Sequence, residues 1–278
     1  MIEVNTYALL MFLKKIVAIN DEAFIRCRKR SIAVYQVDCA HVAFIDEKLS
    51  VIGEGDDDKF TIRVKELYKA LKTIKLPSKT LKDTDTIIID TKSKENVISI
   101  KHPTLTITTP IIDDEDAITR LKNGQKTANN LRKILKETPV AVATVSTKRL
   151  RTFINAFKSC MRKKVKYSYW GEAIRFEFTR GEGEKHNAMT LKMCYADEIL
   201  TNVESTIANE DIHITDEFDD EKGVFTAMYA IDYIESILKS LNCKTVEMRF
   251  RVDFPLRIAF QENHIIGEFV LAPRLESE

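Results

Sequence analysis

The sequence predicts an α+β protein with two similar domains, each built from antiparallel sheets backed by two amphipathic helices. Its 278 residues favour two domains, because a typical domain has roughly 150 residues. A hydrophobic fraction of 44%, with only 8 Gly and 6 Pro, is typical of a fully folded chain. The order helix, strands, helix, strands occurs twice along the chain. This repeat predicts two domains of the same architecture, at residues 1–111 and 139–278.

The first half begins with a predicted helix over Tyr7 to Asn20, where apolar residues recur at helical spacing. A second helix is expected at about Val64 to Lys75, after an acidic loop over Gly53 to Lys59. Half-buried strands alternate apolar and polar residues. Such alternation predicts strands at Ser31 to Val37, His41 to Ile45, Thr86 to Asp90, Asn96 to Lys101 and Leu105 to Ile111.

The second half has the same order of predicted helices and strands. Its first predicted helix covers Thr147 to Cys160, with Ser146 as the N-cap, and its second covers Tyr229 to Leu241. Strands are predicted at Val140 to Val145, Lys166 to Tyr169, Ala173 to Thr179, Ala188 to Met193, Val246 to Val252, Leu256 to Phe260 and Ile265 to Leu271.

Residues 112–138 form a predicted connector that is acidic at its start and basic afterwards. The acidic residues are Asp113, Asp114, Glu115 and Asp116, and the basic ones are Arg120, Lys122, Lys126, Arg132, Lys133 and Lys136. A short helix over Ala128 to Lys136 and a solvated tether are equally consistent with this composition.

The composition argues against export, membrane insertion and catalysis. Five scattered cysteines without a C-x-x-C pair argue against disulfides and zinc, and indicate a reducing compartment. No apolar run reaches the 18 residues of a membrane span. The five histidines have no metal-ligand spacing, and no phosphate loop or nucleophile elbow is present. We therefore expect no catalytic residue, no metal and no cofactor, and we interpret His41 beside Asp38 as structural.

Basic residues lie mainly on the predicted helices, although the net charge is only +1. Lys65, Lys69 and Lys72 share one face of the second helix, and apolar residues occupy the opposite face. The other helices carry Lys14, Lys15, Lys148, Arg149, Arg151, Lys158 and Lys239. Any one of these side chains could simply belong to a solvated helix face, whereas their clustering on helices favours contacts to the phosphates of DNA, which carry no sequence information.

Three short motifs resemble those of sliding DNA clamps of the proliferating cell nuclear antigen (PCNA) family from archaea and eukaryotes. Val37 to Phe44 resembles the Asp-x-x-His-Val signature, and Val252 to Ile258 resembles the D-x-P-L strand. Leu271 to Glu276 is similar to the L-A-P-[KR]-[IV]-E terminus. Each motif is weak alone, but all three stand in register with the duplicated order of elements.

The resemblance implies the DNA-clamp fold and a ring of three subunits, with helices facing the enclosed duplex and sheets outside. It implies a processivity factor for DNA polymerase in replication and repair, without catalytic activity or cofactor. The implied partners are double-stranded DNA, DNA polymerase, the clamp loader and other proteins with a glutamine-and-aromatic binding motif. The protein is expected in the cytoplasm of an archaeon or in a eukaryotic nucleus, neither secreted nor in a membrane.

The resemblance also assigns two binding surfaces. The partner-binding groove would be lined by Val37, Val42, Phe44, Phe254, Pro255, Val270, Leu271, Ala272 and Pro273. The subunit interface would pair two edge strands, through Leu105, Ile107, Thr109 and Ile111 on one subunit and Met189, Leu191 and Met193 on the next. Unpaired edges would otherwise invite aggregation.

Two alternatives stay open at this point. A subunit of a heterotrimeric checkpoint-type clamp would have the same fold, although the intact Asp-x-x-His-Val and L-A-P-R motifs favour the replicative form. A metal-dependent nuclease is the alternative of a different class. It would have to bring carboxylates together from distant acidic loops, and a divalent-metal cleavage assay would identify it.

Overall fold

The structure is a computed structural model, and it describes residues 1–74, 85–92, 96–113, 115–161, 172–181, 186–195, 198–208, 211–215, 225–251 and 254–274. The predicted strand at Lys166 to Tyr169 lies outside these residues. The predicted α+β class with antiparallel sheets is confirmed. The chain divides into two compact units, Met1–Ile134 with Gln261–Glu268, and Leu135–Phe260 with Phe269–Glu278.

The described residues between Met1 and Ile134 of the first unit form eight strands and three helices. They are β1 (Ile2–Asn5), α1 (Thr6–Val17), β2 (Ala23–Arg28), β3 (Ser31–Val37), β4 (Ala43–Ser50), β5 (Asp58–Ile62), α2 (Val64–Leu71), β6 (Thr86–Asp90), β7 (Val97–His102), β8 (Leu105–Pro110) and α3 (Glu115–Ile134). One antiparallel sheet has the order β1-β6-β7-β8, and strands β4, β3, β2 and β5 are neighbours in another. The end of the predicted acidic loop forms β5, which pairs with β2.

Helix α1 begins where Asn5 caps it, because the Asn5 side chain accepts a hydrogen bond from the Ala8 amide at 2.9 Å. The helix buries Leu9, Phe12 and Ile16 and packs against α2. Apolar residues at helical spacing therefore place both helices on the core of the first unit.

The second unit repeats this arrangement. Its elements are β9 (Ala141–Ser146), α4 (Thr147–Met161), β10 (Glu172–Thr179), β11 (Ala188–Tyr195), β12 (Glu198–Ala208), β13 (Ile212–Ile214), β14 (Phe225–Ala230), α5 (Ile231–Ser240), β15 (Thr245–Phe250) and most of β16 (Leu256–Glu262). The end of β16 and the start of β17 (Ile265–Leu271) belong to the first unit, and β17 returns to the second unit at Phe269. One sheet has the order β12-β11-β10-β14, and β13, β9, β15, β16 and β17 are successive neighbours in another. Helix α4 packs against α5, and the Ser146 hydroxyl accepts from the Arg149 amide at 3.4 Å, as expected of an N-cap.

The connector contains a longer helix than the short one expected from its composition. Helix α3 packs against β3, and Gly124 is buried in this contact. A Cβ atom at Gly124 would lie 3.7 Å from the carbonyl oxygen of Val37. The backbone of α3 therefore passes close to β3. None of the helices in the described part of the chain has the length and apolar character needed to cross a membrane.

A buried charged cluster lies within the first unit. The Lys15 side chain is fully buried and pairs with Glu262 at 2.7 Å. Glu47 on β4 is also buried, and neither carboxylate oxygen has a hydrogen-bond partner among the described residues. Burial raises the pKa of Glu47 well above its ordinary value; Lys15 opposes this shift, whereas Glu262 and Asp46 add to it. Burial therefore favours the neutral form of the Glu47 carboxyl by raising its pKa, and Lys15 has its ion pair with Glu262.

Replacing Glu47 with Gln should remove a pH dependence of stability. With a raised pKa in the folded state, the neutral carboxyl stabilises fully below the pKa of the unfolded chain, and this advantage is lost as pH rises through the folded pKa. Glu47→Gln should resemble the unmodified protein near pH 4.5 and exceed it increasingly at higher pH, by roughly 1 to 3 kcal/mol. Urea unfolding from pH 5 to 9 measures this difference. Exposed Glu66→Gln is the control, and parallel pH profiles for all three proteins would contradict the assignment.

Candidate functional site

Helix α2 presents the clearest basic face. Leu67, Leu71 and Ile74 are at most 8% exposed, whereas Lys65, Lys69 and Lys72 are all exposed. The helix and the turn that follows it, which contains Lys72 and Ile74, thus divide into an apolar and a lysine face, as the periodicity predicts. Lys65 pairs with Asp21 at 2.8 Å. The side chains of Lys69 and Lys72 form no ion pair within the described part of the chain.

Helices α4 and α5 carry exposed basic residues in the second unit. Lys148 and Arg149 are exposed at the start of α4, and the Arg149 guanidinium donates to the carbonyl oxygen of Thr206 at 2.6 Å. Lys239 on α5 is exposed and pairs with Glu235 at 2.7 Å. In the first unit, Lys14 on α1 is partly exposed. The Lys158 side chain lies outside the described residues.

Two of the residues predicted to bind DNA have structural roles. Lys15 is wrong as a phosphate contact because its side chain is fully buried against Glu262. Arg151 has a structural role of a different kind, and because its side chain is partly exposed, its contact with phosphate stays a prediction. Its guanidinium donates to the carbonyl oxygens of Leu238 and Leu241, which lie at the C-terminal end of α5. A cation there satisfies free carbonyls and complements the helix dipole.

The predicted interface at Met189, Leu191 and Met193 is also wrong, because β11 is not an edge strand. It pairs with β10 on one side and with β12 on the other, so its backbone groups are already used. Strand β12, which contains Glu204 and Thr206, is one edge of this sheet, and β14 is the strand at its other end. The sequence signal for β12 is the alternation of apolar and polar residues over residues 198–208.

Strand β8 is an edge of the first unit's smaller sheet, as predicted for Leu105, Ile107, Thr109 and Ile111. The Ile111 amide donates to the carbonyl of Asn96 at 2.9 Å. Because hydrogen-bonded pairs alternate in an antiparallel ladder, the amides of 105, 107 and 109 also face β7. The amides of Thr106 and Thr108 therefore face outward from the sheet, and Pro110, which has no amide hydrogen, occupies the next outward position.

The first part of the predicted groove is largely buried. Val37 and Phe44 are 5% and 1% exposed, and only Val42 is partly exposed. The signature motif forms the turn between β3 and β4. Asp38 accepts from the amides of Val42 and Ala43 at 2.8 and 2.9 Å, and His41 has a φ of +60°. Asp38 therefore stabilises a tight turn, in which His41 is exposed.

The second part of the predicted groove is divided between core and surface. Val270 and Leu271 are 2% and 0% exposed, so they belong to the core and are wrong as groove-lining residues, like Val37 and Phe44. Phe254, Pro255, Ala272 and Pro273 are partly exposed.

The segment that follows β17 is tied to β14, because the Arg274 amide donates to the Met228 carbonyl at 2.8 Å. The Tyr229 hydroxyl donates to the Phe254 carbonyl at 2.9 Å. Both bonds lie within the second unit, and they fix two short apolar segments at its surface.

Titratable groups in the described residues do not form an evident reaction centre. No group of three His, Cys, Asp or Glu side chains among them could hold a metal ion. His102 lies 3.0 Å from Asp85 and 2.7 Å from the Thr104 hydroxyl, where it joins β7 to the residue before β6. This hydrogen-bonded arrangement links two parts of the first unit.

No protein-family model and no curated protein sequence matches this chain. Solved structures do match it over almost its whole length. PCNA from A. fulgidus, bound to the C-terminal region of FEN-1, has a TM-score of 0.71 at 16% identity, with 100% of both chains covered. PCNA from Entamoeba histolytica has a TM-score of 0.69 at 16% identity, with 99% of both chains covered.

PCNA from Thermococcus kodakaraensis has a TM-score of 0.68 at 19% identity, and the match covers 99% of this chain and 100% of that one. Full coverage at such low identity means that architecture is shared while most side chains differ. These matches, with the two helix-backed units described above, show that the chain has the DNA-clamp fold of the PCNA proteins.

Proposed function

We propose that this protein is a sliding clamp, a non-enzymatic ring subunit that encircles double-stranded DNA and tethers replication and repair enzymes to it. The observation that carries the proposal is the clamp fold together with exposed lysines on its helices. The chain is nearly neutral, with 43 basic and 42 acidic residues, so this clustering of lysines does not follow from an excess of positive charge. The ring would encircle DNA in the cytoplasm of an archaeon or in a eukaryotic nucleus.

DNA contact would occur through phosphates only. Lys69, Lys72 and Lys148 are exposed, and lysine is a compact charge on a flexible stem. Such charges attract the phosphate backbone without reading bases. A clamp that slides requires this kind of contact, because a base-specific hydrogen bond would hold it at one sequence.

Ring closure would pair the outward edge of β8 with the edge strand β12 of the next subunit. Both strands are edges of their sheets, and an intersubunit ladder would satisfy the outward amides of Thr106 and Thr108. This pairing replaces the one expected from the sequence, which used β11. Three subunits would close the ring.

Partner proteins would bind the exposed apolar segments of the second unit. Phe254, Pro255, Ala272 and Pro273 are partly exposed and belong to the two motifs that resemble the clamp family. The clamp loader, DNA polymerase and other enzymes would each present a glutamine-and-aromatic motif to this surface. Aromatic anchors are the residues that typically dominate such interfaces.

Changing Lys69 and Lys72 together to Ala should weaken DNA retention on every sequence alike. Exposed-site changes usually cost under about 0.5 kcal/mol, so the fold should remain. The slope of log affinity against log salt should flatten by up to about 0.9 for each phosphate that the variant no longer neutralises. Processivity of a polymerase with protein loaded on circular DNA, measured at several salt concentrations, tests this expectation.

The matched control for this test is Lys48→Ala with Lys59→Ala, which removes the same charge from exposed positions on β4 and β5. The control should behave like the unmodified protein. Equal effects of the two double variants would mean that total charge matters and that the α2 face has no special role.

Replacing Thr108 with Pro should release monomers from the trimer. The substitution removes an outward amide of β8 without breaking the ladder to β7, and proline cannot donate this bond. Thr108→Ala keeps the amide and should remain trimeric. Light scattering at micromolar concentration measures the mass of each variant. If the unmodified chain is monomeric there, the homotrimer is wrong, and a heterotrimeric clamp with partner subunits becomes the better proposal.

A further inference from the structure

The segment Leu135–Pro139, which we call the strap, lies against the surface that carries Phe254 and Pro255. The Arg257 guanidinium donates to the Leu135 carbonyl at 3.0 Å, and the Arg251 guanidinium donates to the Thr138 carbonyl at 3.0 Å. All of these residues belong to the second unit. Arg251, directly after β15, and Arg257, on β16, thus hold the strap in place.

The strap closes the cleft beside Phe254 and Pro255. Residues of the strap, Phe254, Pro255 and the arginines at 249, 251 and 257 line this cleft, and the space left in it is about 10 Å³. That volume is at the lower limit for a single water molecule, roughly 10 to 15 Å³. An aromatic side chain of a partner therefore cannot enter unless one wall of the cleft moves.

The part of the strap after Leu135, which is itself buried with 5% exposure, is the least firmly held wall of the cleft. Lys136, Glu137 and Thr138 are exposed, and the ion pair of Glu137 with Arg251, at 3.5 Å, is of the solvent-exposed kind that contributes little. The other walls are fixed. Phe250 is 1% exposed in β15, and the Tyr229 hydroxyl holds the backbone of Phe254.

We propose that the strap is a displaceable cover of the partner site, and that Arg257 and Arg251 control access by holding it closed. The inference rests on the proposed function, since it concerns the same partner-binding surface. A peptide that binds beside Phe254 and Pro255 must release the strap, so part of its binding energy is used to open the cleft. Loosening the strap then increases affinity, and peptide binding in turn exposes the strap to solvent.

The test uses the full-length chain and a synthetic peptide with one glutamine and two aromatic residues. Arg257→Met removes the hydrogen bond to Leu135 and keeps an apolar stem. Its affinity for the peptide should rise about five-fold, the change that corresponds to removing one hydrogen bond from the closed state. Trypsin should cleave after Lys136 faster in this variant, and saturating peptide should accelerate the same cleavage in the unmodified protein. Mass spectrometry identifies the cut.

Two further variants make the result specific. Arg180→Met is the matched control, because the Arg180 guanidinium donates to the carbonyl oxygen of Thr215 at 2.8 Å and Arg180 does not line the cleft; it should leave both affinity and cleavage unchanged. Glu137→Gln is the second loosening variant; it breaks only the exposed ion pair and should shift both readouts in the direction of Arg257→Met, by less.

Failure of the strap and failure of the partner site give different results. If the peptide binds but Arg257→Met and Glu137→Gln leave affinity unchanged, and the peptide leaves cleavage unchanged, the strap proposal is overturned while the partner site stands. If neither the unmodified protein nor Arg257→Met binds the peptide, the partner site is wrong, and the strap does not cover one.

Discussion

Most of the structure depends on the burial of one apolar face by each amphipathic helix. Helix α1 packs against α2, and α4 packs against α5. On α2 the apolar face is consumed by the core, so Lys69 and Lys72 must lie on the other side. The proposed DNA-binding surface thus follows from packing, because the same periodicity that buries the apolar face of α2 places its lysines on the opposite face. Lys15 is the exception, and it is tolerated because Glu262 compensates it within the core.

The sequence was most informative where the interaction is local. The periodicity of α2, the bounds of β3, β6 and β17, and the Ser146 cap all follow from residues within one element. It failed where the partner is distant along the chain. Lys15 meets a carboxylate 247 positions away, and Arg151 meets a carbonyl 87 positions away. Whether β11 is an edge depends on β12, a neighbouring strand, and no property of β11 itself reveals it.

The connector illustrates a second limit of sequence reasoning. A glycine inside a helix costs about 1 kcal/mol relative to alanine, so Gly124 argues against a helix by propensity. Packing on β3 offsets that cost, because Gly124 lets the helix backbone approach the carbonyl of Val37. Burial also explains why the predicted groove contained too many residues. Val37 and Leu271 have the residue types of a binding surface, but they are core residues, and the accessible apolar positions are fewer and lie beside a closed strap.

We propose that the protein holds DNA by enclosure, with only weak and sequence-independent contacts. The most direct measurement is retention on DNA before and after the DNA is cut. Protein loaded by a clamp loader onto a labelled circular duplex, then washed in high salt to remove electrostatic binding, should stay bound while the circle is closed. It should slide off rapidly once a restriction enzyme linearises the duplex. Equal retention on circular and linear DNA, or complete loss from the closed circle in high salt, would contradict enclosure.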